Sequence, residues 1–216
     1  MEKRYEITEK QLTFLNDYLL KKHQGISNET RIELVDHLVY DFEKTTENGN
    51  LSQYLSNHLV FISKFVSKGT SQMKKTYKKE TWNQFFKFFT EPKLLLVSIS
   101  SLLFFYFLNE NLDDKIVYLV TIILPTIIFG YSAFKGMIKK KELKNLDEVK
   151  FLGTEIWLPF TMIQLLGITE LSHSILQYSW LYSLVSSFII IYSLAALIIV
   201  LKHKKIILEK HKHLLK

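Results

Sequence analysis

Residues 116–134 have the sequence IVYLVTIILPTIIFGYSAF, and none of these side chains carries a charge. The 19 residues come close to the roughly 20 predominantly apolar residues that a helix needs to cross the hydrocarbon core of a bilayer. Residues 181–201, LYSLVSSFIIIYSLAALIIVL, are also uncharged and are long enough for the same purpose. The two stretches predict an all-α integral membrane protein.

Two further stretches are weaker candidates for spanning helices. Residues 93–109 contain a shorter apolar run, which Lys93 extends if its aliphatic stem reaches along the helix toward the headgroups. Residues 151–169 are interrupted by Glu155 and Pro159. With both included, a four-helix transmembrane domain is expected between residues 92 and 201, with spans at about 93–109, 116–134, 151–169 and 181–201.

The distribution of lysine predicts how these spans are oriented. The loops 109–115 and 170–180 together contain one lysine, whereas residues 135–150 and the basic tail 202–216 contain six each. Because positive charge concentrates on the cytoplasmic side of short loops, both termini are expected in the cytoplasm. Without a crossing at 151–169 the lysine-rich tail would lie outside, so the lysines favour four spans.

Residues 1–69 predict a small cytoplasmic domain of three helices. Thr8 and Gln11 have the spacing of a capping box, and Ser27 or Asn28 can cap a second helix. The turn Asn48-Gly49-Asn50 precedes the third helix. Apolar residues follow at helical spacing in each segment. The expected core positions are Leu12, Leu15 and Leu19, then Ile32, Val35, Val39 and Phe42, and then Leu51, Leu55, Leu59, Ile62 and Val66.

Residues 70–91 are basic early and aromatic late, which is typical of an amphipathic helix beside a membrane. Its aromatic side chains recur at helical spacing, and its lysines suit anionic headgroups at the cytoplasmic surface. The expected membrane-interface residues are Trp82, Phe85, Phe86 and Phe89. The alternative is that this helix packs on the three soluble helices. Pro92 is expected to mark the start of the first span.

The segment Arg31-Ile-Glu-Leu-Val-Asp-His-Leu-Val-Tyr-Asp-Phe-Glu43 contains the pattern E-L-x-D-H followed by further acidic residues. It resembles a motif of small helical domains in multi-span membrane proteins of the Bacteroidetes, and is similar to HAAS-type signalling domains that are encoded beside PadR-like regulators. The resemblance covers roughly residues 8–68. It implies a regulatory role and carries over no catalytic residue.

The same segment holds the candidate partner-binding residues Glu33, Asp36, His37 and Asp41. Three of them stand at i, i+4 and i+8, where they share one helix face. Over eight residues a helix rises about 12 Å, so these groups do not converge on one metal ion without help from another helix. We expect them to form a polar contact surface that selects a basic patch on a protein partner, with the imidazole adjusting the contact near neutral pH. A partly buried polar patch of structural importance is the alternative.

Glu155 and Gln164 are the polar residues expected inside a span. Intramembrane ionisable groups often mark function, although Glu155 lies close enough to a helix end to reach the headgroups. The first 30 residues contain no apolar stretch, so no cleavable signal peptide is expected. The chain has no cysteine and no phosphate-loop, zinc-protease, dinucleotide or nucleophile-elbow motif. No catalytic, cofactor or metal site is therefore predicted.

The favoured function is a regulatory or signalling protein of the inner membrane whose cytoplasmic helices bind a protein partner without catalysis. One alternative is a small transporter or channel component that uses Glu155 and kinked helices. Another is a membrane enzyme acting on lipid. The expected partners are the lipid bilayer and a protein. Nucleic acid is not expected because the chain has no folded reader module, and homo-oligomerisation is left open.

Overall fold

The computed structural model describes residues 5–139, 143, 146–168 and 177–212, and these ranges contain helices and no strand. The predicted all-α class is confirmed. The chain divides into two compact units. Unit 1 comprises Met1–Lys74 and Lys141–Lys150, and unit 2 comprises Lys75–Lys140 and Phe151–Lys216.

Unit 1 begins with two capped helices. The predicted capping box is present at the start of α1 (Glu9–Lys22), where the Thr8 side chain and Gln11 satisfy each other's backbone N–H groups. The Ser27 hydroxyl accepts a hydrogen bond from the Thr30 N–H and so caps α2 (Asn28–Thr45). Both predicted helix starts are therefore correct.

The third predicted helix is divided in the structure. Helix α3 (Leu51–Asn57) ends at His58, and α4 (Leu59–Thr90) then continues without a break past residue 69, where the sequence analysis placed a boundary. A Cβ added at Gly69 would lie 2.7 Å from the Thr30 side chain, so this glycine lets α4 pass close to α2. The first half of α4 belongs to unit 1 and the second half to unit 2.

The core of unit 1 differs from the predicted stripes at a few positions. On α2 the fully buried residues are Leu34, Leu38 and Phe42, whereas Ile32 is 57% exposed. The buried face of this helix is therefore rotated slightly from the predicted one, because α3 covers it as well as α1. The buried cluster consists of Leu15, Leu19, Ile26, Leu34, Val35, Leu38, Phe42, Leu51, Tyr54, Leu55 and Ile62.

A segment expected to be a loop between two spans belongs to unit 1. The short helix α7 (Asp147–Lys150) begins where the Asp147 N–H donates to the Gly25 carbonyl over 2.9 Å. The Asp147 carboxylate also accepts a hydrogen bond of 2.8 Å from the Thr70 hydroxyl. These contacts fix the segment against the connection from α1 to α2 and against α4.

Within the described ranges, three helices of unit 2 are long and apolar enough to cross a membrane. They are α5 (Pro92–Asn111), α6 (Asp114–Gly136) and α9 (Ser179–Lys210). The first two are slightly longer than their predicted spans, whereas α9 continues well beyond the predicted end at residue 201. Pro92 stands at the start of α5, as predicted. In the remaining predicted span, 151–169, a 3-10 helix (Thr154–Ile156) is followed by the 12-residue α8 (Trp157–Ile168). Residue 169 lies outside the described residues.

Helix α9 is the centre of unit 2, and its two ends fix the helix directions. Near its start, the Asn109 amide at the end of α5 donates to the Ser179 hydroxyl over 2.9 Å. One turn later the Tyr182 hydroxyl lies against the Val117 carbonyl in the first turn of α6, at 3.3 Å. Near its end, Lys204 donates to the Met137 carbonyl beyond α6, at 3.2 Å. Helix α5 therefore runs antiparallel to α9, and α6 runs parallel to it.

Candidate partner-binding surface and polar contacts of unit 2

The predicted partner-binding residues lie on α2, and three of the four are exposed. Glu33, Asp36 and His37 all face solvent, and neither carboxylate has a hydrogen-bond or ion-pair partner in the described part of the chain. Among the described residues, no group of three His, Asp or Glu side chains is placed to hold a metal ion. The carboxylates of Glu33 and Asp36 are therefore available for contacts outside the chain.

The fourth residue, Asp41, takes part in a hydrogen-bonded cluster with α3. Its Oδ2 accepts a hydrogen bond of 2.7 Å from the Tyr54 hydroxyl and lies 3.4 Å from Nε2 of His58. The His58 ring stacks on the Tyr54 ring with centroids 4.1 Å apart. Burial, reinforced by the adjacent Asp41 carboxylate, raises the pKa of Tyr54, so its hydroxyl stays protonated and remains a donor at neutral pH. The Asp41 side chain thus has a structural contact that its neighbours on α2 lack.

A polar cavity of about 430 Å³ opens beside this cluster. Its walls come from the turn that ends α2 and from α3, including Asn48, Asn50, Gln53 and Asn57. The backbone of this turn already uses part of that polarity, because the Asn50 side chain caps α3 and the Asn48 side chain accepts from the Asn50 N–H. Tyr54 and His58 also line the cavity, so it adjoins the hydrogen-bonded cluster of Asp41.

Aromatic rings from α4 lie beside the exposed face of α2. The His37 ring contacts the Phe65 ring edge-on with centroids 5.5 Å apart, and Phe65 contacts Phe61 at 5.9 Å. Phe61 is 44% exposed. The candidate surface therefore includes apolar residues of α4 in addition to the polar residues of α2. The sequence analysis assigned Leu59, Ile62 and Val66 of this segment to the core and did not single out Phe61 or Phe65.

The four predicted membrane-interface residues divide into two pairs in the structure. Phe85 is buried and, with Trp82, packs against Tyr192 of α9. Phe86 and Phe89 are exposed. The first pair is therefore packed on α9, a helix that is long and apolar enough to cross a membrane. For the second pair a place at the membrane surface stays a prediction.

A charged contact involves Glu80, which precedes Trp82 on α4. Oε2 of Glu80 accepts hydrogen bonds from Nζ of Lys202 at 2.9 Å and lies 3.0 Å from Nε2 of His203. The His203 ring packs edge-on against the Tyr77 ring at 4.8 Å. Burial opposes ionisation of Glu80, but the hydrogen bonds and positive charge of Lys202 and His203 outweigh it, so the pKa of Glu80 is lowered. This contact ties the second half of α4 to the end of α9.

The predicted intramembrane residues have different environments. Glu155 lies in the 3-10 helix before α8, and its Oε2 accepts a hydrogen bond of 2.8 Å from the Tyr192 hydroxyl. Tyr192 is fully buried. Gln164 is exposed on α8. Of these two residues, Glu155 therefore contacts another helix of unit 2, and Gln164 has no such contact in the described part of the chain.

No protein-family model, curated protein or solved structure matches this chain. The function of this protein is therefore argued from its own residues and contacts. The sequence analysis did not single out Tyr54, His58 or Glu80, which the fold joins to residues elsewhere in the chain. Tyr54 and His58 stand four residues apart, and this helical spacing is the one signal of their contact that the sequence contains.

Proposed function

We propose that this chain is an integral inner-membrane protein of regulatory type, whose cytoplasmic helical unit binds a protein partner and performs no catalysis. The observation that carries the proposal is the exposed face of α2, where Glu33 and Asp36 have no hydrogen-bond or ion-pair partner among the described residues and His37 is exposed beside Phe65. The resemblance of this helix to HAAS-type signalling domains points to the same class of function.

The helix directions support a fourth crossing of the membrane. Helices α6 and α9 are parallel, since contacts join start to start through Val117 and Tyr182, and end to end through Met137 and Lys204. A chain that leaves α6 on one face must return to the other face before α9 begins. Helix α8 and the 3-10 helix before it lie in this connection. Four spans with both termini on the same side satisfy this requirement.

The contacts of residues 146–150 support a cytoplasmic position for unit 1. Asp147 is bonded to Gly25 and Thr70, so residues 146–150 of the connection after α6 are part of unit 1. That connection is one of the lysine-rich segments, and such segments face the cytoplasm. The basic end of α9 is tied to Glu80 of α4 and shares that side.

The surroundings of Glu155 favour an anchoring role for the membrane helices over transport. Its carboxylate is bonded to Tyr192, and the Tyr192 ring contacts the aromatic rings of Trp82, Phe85 and Phe188. An intramembrane carboxylate that is hydrogen-bonded next to an aromatic cluster is a satisfied structural group. A transported ion would have to displace this hydrogen bond.

The proposal is tested by co-purification from membranes with Asp36→Ala and His37→Ala variants of the full chain. Both variants should lose a partner that the unaltered chain retains, while the helical circular dichroism remains the same. Asp17→Ala, which removes an exposed carboxylate from α1, is the matched control and should keep the partner. An unchanged set of co-purifying proteins in all three variants would refute the proposal. So would loss of helical signal in the first two, since the residues would then be structural.

A further inference from the structure

The second half of α4 carries one stripe of exposed side chains that changes from lysine to phenylalanine. We define this Lys–Phe stripe as Lys75, Lys78, Lys79, Phe86 and Phe89. With 3.6 residues per turn, the five positions lie within about 100° of one another around the helix axis. All five are exposed. The stripe is therefore a continuous outer face of the helix, with its charges at one end and its aromatic rings at the other.

The order of the residues along the stripe differs from that of a helix lying flat on a membrane. A flat amphipathic helix has charged and apolar residues on opposite faces along its whole length. Here both kinds share one face and are separated along the axis. The lysines precede Glu80, whereas Phe86 and Phe89 lie about 9 and 14 Å beyond it. This order suits a helix that passes at an angle from a polar into an apolar environment.

Contacts with α9 show where along the molecule the change occurs. Glu80 is bonded to Lys202, the first charged residue after the uncharged run 181–201. Five residues later, the Phe85 ring contacts the Tyr192 ring with centroids 5.9 Å apart. Tyr192 lies about 15 Å before Lys202 along the axis of α9. The lysine end of the stripe is therefore level with the charged end of α9, and the phenylalanine end is level with its apolar run.

The exposed rings belong to an ordered aromatic cluster. Phe86 and Phe89 contact the buried Phe85 with centroid distances of 5.5 and 5.2 Å. Trp82 stands between the lysines and the phenylalanines and contacts Phe86 at 6.0 Å. Tryptophan prefers the boundary between headgroups and hydrocarbon. Its place in the stripe thus agrees with a change of environment at this level.

The charges around the stripe leave it positive. Its three lysines have no hydrogen-bond or ion-pair partner among the described residues. Residues 75–91 contain two carboxylates. Glu80 is already bonded to Lys202 and His203, and Glu91 pairs with Lys87 at 3.4 Å. Three uncompensated positive charges therefore remain at one end of the stripe.

We infer that the Lys–Phe stripe binds anionic phospholipids, whose phosphate groups contact the lysines and whose acyl chains cover Phe86 and Phe89. The inference rests on the membrane position proposed above and involves no protein partner. Lysines beside a span attract anionic lipids, and exposed aromatic rings enter the boundary between headgroups and acyl chains. The apolar surface continues onto α5, where Leu95, Leu96 and Val97 are exposed. A bilayer offers phosphate groups and then hydrocarbon in the order that the stripe requires.

Spin-labelled phosphatidylglycerol and phosphatidylcholine test the lipid class. Each is added in trace amount to the full chain in phosphatidylcholine nanodiscs, and electron paramagnetic resonance measures the motionally restricted fraction. The unaltered chain should prefer phosphatidylglycerol at low salt. One lysine near an anionic surface contributes about fivefold to the attraction, so removal of three should lower this preference several-fold. The variant is Lys75→Gln, Lys78→Gln, Lys79→Gln.

The matched control removes the same charge from unit 1. It is Lys21→Gln, Lys64→Gln, Lys68→Gln, at three exposed positions of which two lie on the first half of α4. This control should keep the preference for phosphatidylglycerol. An equal loss in both triple variants would mean that total charge alone decides the preference, and would overturn the inference. So would the absence of any preference in the unaltered chain.

Single spin labels on the protein test the direction of the stripe. The chain has no cysteine, so Lys75→Cys and Phe89→Cys each accept one label. In nanodiscs that contain phosphatidylglycerol, accessibility to oxygen relative to a water-soluble relaxing agent should be much higher at residue 89 than at residue 75. Equal values would indicate a flat helix, and low accessibility to both agents at residue 89 would indicate cover by protein. Either result would overturn the inference while leaving the partner lost in Asp36→Ala, and hence the proposed function, unaffected.

Discussion

The hydroxyl of Tyr192 donates a hydrogen bond of 2.8 Å to Oε2 of Glu155 and so joins α9 to the 3-10 helix before α8. The ring of Tyr192 is fully buried and also contacts Trp82 and Phe85 of α4. One side chain therefore connects three helical segments of unit 2. Its hydroxyl provides the polar contact, and its ring provides the packing.

Tyr192→Phe should lower the stability of the membrane unit modestly. The substitution removes the hydroxyl and keeps the ring, so Glu155 loses its donor while the aromatic packing remains. Hydrogen bonds between transmembrane helices contribute about 0.6 kcal/mol on average and up to about 1.7 kcal/mol. Reversible unfolding in mixed micelles measures the change. Tyr106→Phe, at an exposed position on α5, is the control and should have no effect. Equal stability of both variants would show that the Glu155 contact contributes nothing.

Phe85→Ala should destabilise the protein strongly, whereas its neighbour Phe86→Ala should not. Phe85 is 5% exposed and packs on α9, while Phe86 is 56% exposed on the same helix. Removal of a buried phenylalanine costs about 3–5 kcal/mol, and surface substitutions usually stay within about 0.5 kcal/mol. The same unfolding measurement compares the two variants. If they had equal effects, the second half of α4 would not be packed on α9.

Glu80→Gln should weaken the attachment of α4 to the end of α9 in a pH-dependent way. The pKa of Glu80 is lowered from 4.5, so its stabilising contribution is present above that value and is lost as the pH falls through the lowered pKa. Unfolding followed from neutral to acidic pH should show the unaltered chain converging on the variant. Glu91→Gln is the control, because Glu91 forms an exposed pair with Lys87 at 3.4 Å. Exposed pairs of this kind are worth about 0.3–0.5 kcal/mol. A constant difference across pH would exclude the ionised Glu80 contact.

Single cysteine variants should place the two ends of the α6–α9 connection on opposite faces of the membrane. Asn111→Cys and Tyr178→Cys should react with an impermeant maleimide from outside intact cells. Lys139→Cys should react only after permeabilisation. The chain has no native cysteine, so the background is low. Labelling of Tyr178→Cys and Lys139→Cys from the same side would rule out a crossing between α6 and α9.

The candidate surface could be predicted in part from the sequence. The exposed positions Glu33, Asp36 and His37 follow from one helical stripe of polar residues, which periodicity identifies. The contacts of Asp41 with Tyr54 and His58 could not be predicted from periodicity. They join α2 to the end of α3, and the partners are at least 13 residues apart in the chain. The sequence analysis did not single out Phe61 or Phe65. In the structure Phe61 is 44% exposed, and Phe65 is partly buried against the core of unit 1.

The sequence by itself determined the all-α class, the three long apolar helices and the capped starts of α1 and α2. These properties depend on runs of apolar residues and on local spacing, and both are visible in a single chain. Only the tertiary structure decided which polar groups are paired. Glu155 with Tyr192, Glu80 with His203 and Asp147 with Thr70 join residues that are 37 to 123 positions apart. The tertiary structure also made α4 continuous from unit 1 to unit 2 and packed Phe85 on α9. Local propensity cannot specify such pairs, because their free energy arises only when packing brings distant helices together and removes both partners from water.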